Sequence, residues 1–212
     1  MDKQSDRFLE QKRRSFWLKH LHQWHWISSA ICLVGMLLFA ATGITLNHAS
    51  QIEAHPRVVS KEAQVPAELA RALAPEGGAD KAPLPPALRQ WLEAQLSVAI
   101  GDPVAEWSPD EIYVSLPRPG GDAWLSVELP DGAVKYESTD RGWISYFNDL
   151  HKGRNTGEAW KWFLDVFAVA CLVFCVTGFF LLQIHSRNRP VTWPMVALGV
   201  AVPLFLAFVF IH

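Results

Sequence analysis

Residues 20–52 read HLHQWHWISSAICLVGMLLFAATGITLNHASQI. Between Lys19 and Glu53 there is no Asp, Glu, Lys or Arg. A helix that crosses roughly 30 Å of hydrocarbon at about 1.5 Å per residue needs about 20 residues of this kind. Two other windows meet the same condition, one between Asp165 and Arg187 and one from Val191 to His212. Three transmembrane helices are expected, at 26–47, 159–185 and 191–212, with a short link at 186–190. A hydrophobic content of 50% and a net charge of −2 look globular on average and conceal this segregation.

The first run has a long polar lead and ends in Asn47-His48-Ala49, which lacks the small-x-small pattern of a cleavage site. It is read as a retained anchor. Lys3, Arg7, Lys12, Arg13, Arg14 and Lys19 precede it, and Arg187 and Arg189 lie in the link between the second and third helices. Short basic flanks stay in the cytoplasm, so the N-terminal segment, 1–25, and the link are expected there. The region between the first two helices then faces outward. Trp17, Trp24 and Trp26 gather where the chain enters lipid, as headgroup-level anchors do.

Past the first helix, residues 48–86 are rich in Pro, Ala and Gly and read as a linker with one short helix near 67–73. A second unit is expected at 87–140. Pro85-Pro86 opens a helix with Leu88, Trp91, Leu92 and Leu96 on one face. Three alternating segments follow, centred on Ile112, Val114 and Leu116, on Leu125, Val127 and Leu129, and on Val134 and Tyr136. Pro-Gly-Gly-Asp and Pro130-Asp131-Gly132 between them are hairpin signals. One helix on a small antiparallel sheet is an α+β domain. It has no cysteine, so its own core must hold it. Cys32, Cys171 and Cys175 fall in the apolar runs and read as small packing residues. Residues 141–158 are too polar to span and too aromatic for a free loop, and are expected to lie on the outer interface.

Histidines mark the ends of the first two spans. His25 and His48 are 23 residues apart, about 34 Å along a continuous helix, and so belong to opposite faces. His185 shares the face of His25, and His151 that of His48. Two pairs are expected: His25 or His22 with His185 inside, and His48 with His151 outside. Imidazoles from two helices are the axial ligands of a b-type haem, and no Cys-x-x-Cys-His is present for covalent attachment. One or two haems, held by His22 or His25, His48, His151 and His185, would make an electron conduit. His20, His55 and His212 read as ordinary polar side chains. A zinc or iron site on His20, His22 and His25 lacks an accompanying carboxylate or thiolate. Phosphate loops, nucleophile triads, nucleic-acid surfaces and a flavin domain are not legible, and metal transport would call for a mid-membrane carboxylate that the spans do not offer.

The segments HLHQWHWISS, ATGITLNHAS, WLSVELPDGAVKYE, RGWISYFNDLHKGRNTGEAWKWFLDVFA and TGFFLLQIH resemble the bacterial PepSY-associated transmembrane family over about 15–190. The resemblance implies a periplasmic PepSY-like domain inserted between helices 1 and 2 of an inner-membrane protein. Its wider group includes reductases of ferric siderophores with histidine-ligated haem b, and proteins that work with flavin-carrying partners. Transfer of electrons to a periplasmic ferric chelate or an electron-carrier protein is therefore expected, as a ferric reductase-like oxidoreductase in iron acquisition. The other reading is a non-catalytic membrane-anchored binding module, or a subunit of a larger complex. Small-residue helix faces permit a homodimer.

Overall fold

A computed structural model describes residues 3–52, 55–70 and 80–211. The chain divides into two compact units, one of Met1–Leu37 with Phe163–His212 and one of Leu38–Trp162. Helix α1, Lys3–Asn47, belongs partly to each.

The first unit is helical. Beside α1 it holds most of α5 (Gly157–His185), a 3-10 turn at Ser186–Asn188, and α6 (Thr192–Phe210). All three helices are long and apolar enough to cross a membrane. Their large apolar side chains, among them Leu37, Val169, Leu172 and Phe208, lie exposed, which a lipid solvent accepts and water does not. Gly35 lets α5 come close: a Cβ there would stand 2.3 Å from Cε2 of Phe167. Helix α1 runs unbroken for 45 residues, about 68 Å, and so continues from the first span back through the segment 1–25 as far as Lys3. No Gly or Pro occurs before Gly35 to break it.

The second unit is built on a six-stranded antiparallel sheet in the order β1-β6-β5-β4-β3-β2. The strands are β1 Arg57–Gln64, β2 Lys81–Pro83, β3 Val104–Trp107, β4 Glu111–Ser115, β5 Gly121–Glu128 and β6 Ala133–Asp140. Three of them, β4 to β6, are the alternating segments expected from sequence. Strands β1 and β2, with the short helix α2 (Ala67–Ala70), lie inside the stretch read as a linker, 48–86. That reading is corrected because β1 is held by its ladder to β6, Arg57 opposite Asp140 through Gln64 opposite Ala133. Its apolar residues, Val58 and Val59, are adjacent and exposed, so no alternation announces it. Residues 71–73 of the short helix expected there lie outside the described residues.

Helix α3 (Pro86–Leu96) covers one face of the sheet. Leu88, Leu92 and Leu96 recur every four residues and are buried against Ile112, Val114, Leu125, Val127 and Val134. Pro86 starts the helix and Ser97, at φ 51°, ends it in the left-handed conformation. Helix α4 (Gly142–Lys152) occupies most of the segment expected to lie on the interface. It ends at Gly153, left-handed at φ 66°.

Glu93 fastens the loop after α3. Its Oε1 accepts the backbone N–H groups of Ile100 at 2.9 Å and Gly101 at 3.2 Å. Those bonds favour the carboxylate and hold its pKa below the ordinary 4.5. A lowered folded-state pKa adds stability above the unfolded pKa, and that stability is lost as pH falls through the folded value. Glu93→Gln should therefore lower the thermal midpoint of the full chain in detergent at neutral pH and narrow its gap to wild type below about pH 4. Melting curves of both proteins at the two pH values check this.

Candidate functional site

The pentapeptide pattern Phe-x-x-Thr-Gly occurs twice, as FAATG at 39–43 and FCVTG at 174–178. Each copy seats one histidine from another helix. In the first unit, His25 of α1 stacks on Phe174 of α5, ring centroids 4.7 Å apart and planes 16° from parallel. Its Nδ1 lies 3.1 Å from Thr177 Oγ1 and 3.2 Å from the carbonyl of Phe174. Gly178 leaves room, since a Cβ there would come within 3.1 Å of His25 Cε1. In the second unit, His151 of α4 packs on Phe39 at 4.7 Å, and its Nδ1 is 2.6 Å from Thr42 Oγ1. Gly43 is the nearest glycine there, 3.8 Å from His151 Cε1 when a Cβ is added.

The spacing explains these seats. On one helix face, positions i, i+3 and i+4 are neighbours, so Phe, Thr and Gly make a shelf with a wall, a polar anchor and a gap. The threonine hydroxyls direct their own protons to carbonyls one turn back, Thr42 to Leu38 at 2.8 Å and Thr177 to Val173 at 2.6 Å. With its proton so placed each hydroxyl oxygen is an acceptor for an Nδ1–H, and the Phe174 carbonyl beside His25 calls for the same tautomer. The neutral ring keeps its lone pair on Nε2.

Three other groups complete the second seat. On α4, Asn148 and His151 are three residues apart, and they meet Thr45 and Thr42 in antiparallel order, with Thr45 Oγ1 donating to Asn148 Oδ1 at 2.7 Å. Asp149 is buried to 2% exposure. Its Oδ2 accepts the N–H of Gly120 at 2.9 Å, and its Oδ1 pairs with Arg154 at 2.8 Å. The carboxylate thus pins the β4–β5 hairpin to α4. Gly120, at φ 74°, fits only without a side chain, for a Cβ would sit 2.8 Å from Tyr146 Cα.

Of the histidines singled out from sequence, His22 and His185 come together. Their rings are 5.9 Å apart and perpendicular. Each Nδ1 points to the carbonyl four residues back, Leu18 and Leu181, both at 2.8 Å, which again frees Nε2. His25 meets Thr177, and no contact joins it to His185. His48 is exposed and bonds only the carbonyl of its own Ile44, at 3.0 Å. His151 is seated on Thr42, six residues before His48 in the chain, and the structure gives no contact between the two rings. Asn148, Asp149 and Thr45 were not picked out as site residues; the recurrence of Thr42-Gly43 and Thr177-Gly178 was legible, as helix packing or a shared cofactor edge, and the repeated Phe-x-x-Thr-Gly was the further signal for those two threonines.

Five imidazoles with Nδ1 engaged and Nε2 free are suited to ligating a metal through Nε2, as a backbone or hydroxyl partner fixes the tautomer. Among the described residues no group of three or more His, Cys, Asp or Glu could hold a bare metal ion. An ion held by two of these rings would take its remaining ligands from water, from other donors or from a cofactor. With metal–nitrogen bonds of about 2 Å, two imidazoles that share one ion have centroids no more than about 6 Å apart, and His22 and His185 stand within that reach.

Three apolar spans and a six-stranded sheet domain between the first two define an integral membrane protein. The family model for PepSY_TM-like proteins matches residues 16–212, and the chain belongs to that family. Among curated proteins and among solved structures, none matches.

Removing the hydroxyls should separate the two seats. Thr42→Val deprives His151 of its Nδ1 partner and should cost about 1 kcal/mol, whereas Thr177→Val leaves His25 the Phe174 carbonyl and should cost less. Thermal unfolding of the full chain in detergent reads the difference as a larger midpoint drop for Thr42→Val.

Proposed function

We propose that this chain is a haem b protein of the bacterial inner membrane that carries electrons across the bilayer. In this reading the basic N-terminal segment and the 186–190 link are cytoplasmic, and the sheet domain is periplasmic. The observation that carries it is the His22–His185 pair: two helices, two rings 5.9 Å apart, and both Nδ1 atoms bound to carbonyls. Those two side chains would hold the inner haem, and His48 and His151 an outer one. A bound haem supplies one-electron chemistry at a potential tuned by its axial ligands.

What the chain itself contributes is orientation and exclusion of water. The carbonyls of Leu18 and Leu181 hold the inner rings in one tautomer, which raises ligand basicity. Thr42 does the same for His151. His48 is engaged by the Ile44 carbonyl and His151 by Thr42, so a shared outer ion requires one of these rings to leave its present partner. In this reading the electrons come from a separate reductant; no flavin or nicotinamide fold is seen among the described residues. A periplasmic ferric chelate or an electron-carrier protein is the acceptor in this reading.

The absorbance spectrum of the detergent-purified chain, reduced and oxidised, tests the proposal. A reduced haem b α-band is expected, lost in part in His22→Ala and His185→Ala, and lost in its remaining part in His48→Ala and His151→Ala. Absence of the band after reconstitution with hemin overturns haem binding. A band unchanged in both outer variants overturns the conduit and leaves a single inner haem.

A further inference from the structure

Away from the histidine seats, a cleft of about 710 Å³ opens where the sheet meets the start of α4. It is lined by His55, Arg57, Arg118, Asp140, Trp143 and Tyr146, with the Pro119-Gly120 turn and Gly142 between them. Its charges do not cancel. Asp140 is flanked by Arg57, opposite it in the ladder, and by Arg118, whose Nη2 is 3.9 Å from Asp140 Oδ2. The carboxylate already accepts the N–H of Gly142 at 2.8 Å. Two guanidiniums therefore flank one carboxylate that pairs only with Arg118, at 3.9 Å, and Arg57 forms no ion pair among the described residues. This cationic cleft stands out in a region, 51–156, that has 16 acidic and 10 basic residues.

The surroundings of the cleft select its ligand. Trp143, Ile144 and Phe147 form one face of α4 and are exposed at 75%, 46% and 46%. Trp143 belongs to both that apolar face and the cleft wall. At the other end of α4, His151 rests on Phe39 and Thr42, inside the charge-free run of α1. Helix α4 therefore starts beside a cationic cleft and ends against the apolar run of α1. The cleft is rigid as well, because Asp149 fixes the Gly120 turn against α4.

We propose that this cleft binds the phosphate of an anionic phospholipid, with its acyl chains lying along Trp143, Ile144 and Phe147. Arg57 and Arg118 donate to the phosphate oxygens, a geometry the planar guanidinium fork matches and a lysine does only as a point charge. Zwitterionic phosphatidylcholine presents the same phosphate beside a cationic choline, which the guanidiniums repel.

Native mass spectrometry tests the site on the full chain in detergent, with equal parts phosphatidylglycerol and phosphatidylcholine added. Wild type is expected to retain phosphatidylglycerol about tenfold more, the effect of roughly one net charge-assisted hydrogen bond. Arg57→Gln with Arg118→Gln should abolish the preference, and Arg57→Lys with Arg118→Lys should keep part of it, which also guards against a misfolded double variant. Equal retention of the two lipids by wild type, or a preference that survives the glutamine pair, overturns the proposal. Displacement of the lipid by sn-glycerol 3-phosphate, the headgroup without tails, overturns it in favour of a free phosphate ester.

Discussion

A polar side chain on a membrane helix must find a partner inside the protein, because hydrocarbon offers none. Thr42, Thr45 and Thr177 meet that demand in a way that shapes both units. Thr42 and Thr177 point their hydroxyl protons at carbonyls of their own helices and present an oxygen to a neighbour, whereas Thr45 donates its proton to the neighbouring Asn148 Oδ1. The neighbours are His151, Asn148 and His25, all carried on other helices. Hydrogen bonds that close within one helix would leave the spans free to slide. These cross from helix to helix and set register.

The buried carboxylate of Asp149 extends the same constraint into the sheet domain. An ionised group at 2% exposure survives only with donors around it, and Gly120 N–H and Arg154 supply them. Loss of Arg154 would leave the charge with one backbone donor, and loss of Asp149 would release the hairpin from α4. The stretch NDLHKGRNTG therefore acts as a joint within the second unit. Asn148 and His151 face the last turns of α1, Asp149 faces the sheet, and the left-handed Gly153, Asn155 and Gly157 turn the chain from α4 into α5.

The spans were legible because their signal is the absence of charge over 20 or more residues, which survives any detail of packing. Helix α3 and strands β4 to β6 were legible because their buried residues recur at helical or alternate spacing. Strand β1 was not, since an edge strand is held by backbone bonds that any sequence can make. Strand β2 has three residues and ends in a proline. The histidines could be named from sequence as marking the ends of spans. Their partners could not, because rotation of a helix about its axis decides whether His25 or His22 turns toward His185, and hydropathy carries no information on that rotation.

Rotation is what the Phe-x-x-Thr-Gly repeat encodes. On a helix with 3.6 residues per turn, a wall, an anchor and a gap at i, i+3 and i+4 fall on one face, so a single imidazole fits in a single orientation. Serine in place of threonine would keep the oxygen but lose the methyl that restricts χ1. A larger residue at Gly178 would meet His25 Cε1 within about the closest distance that carbon atoms tolerate, while at Gly43 it would make ordinary contact. The two seats are thus unequal: the one on α5 is closed by its glycine and has a second acceptor in the Phe174 carbonyl, and the one on α1 has slack and a single acceptor. Of the two histidines, His151 is therefore the one whose ring can leave its threonine at the smaller cost in packing, and it is the one that a ligand shared with His48 would require to move.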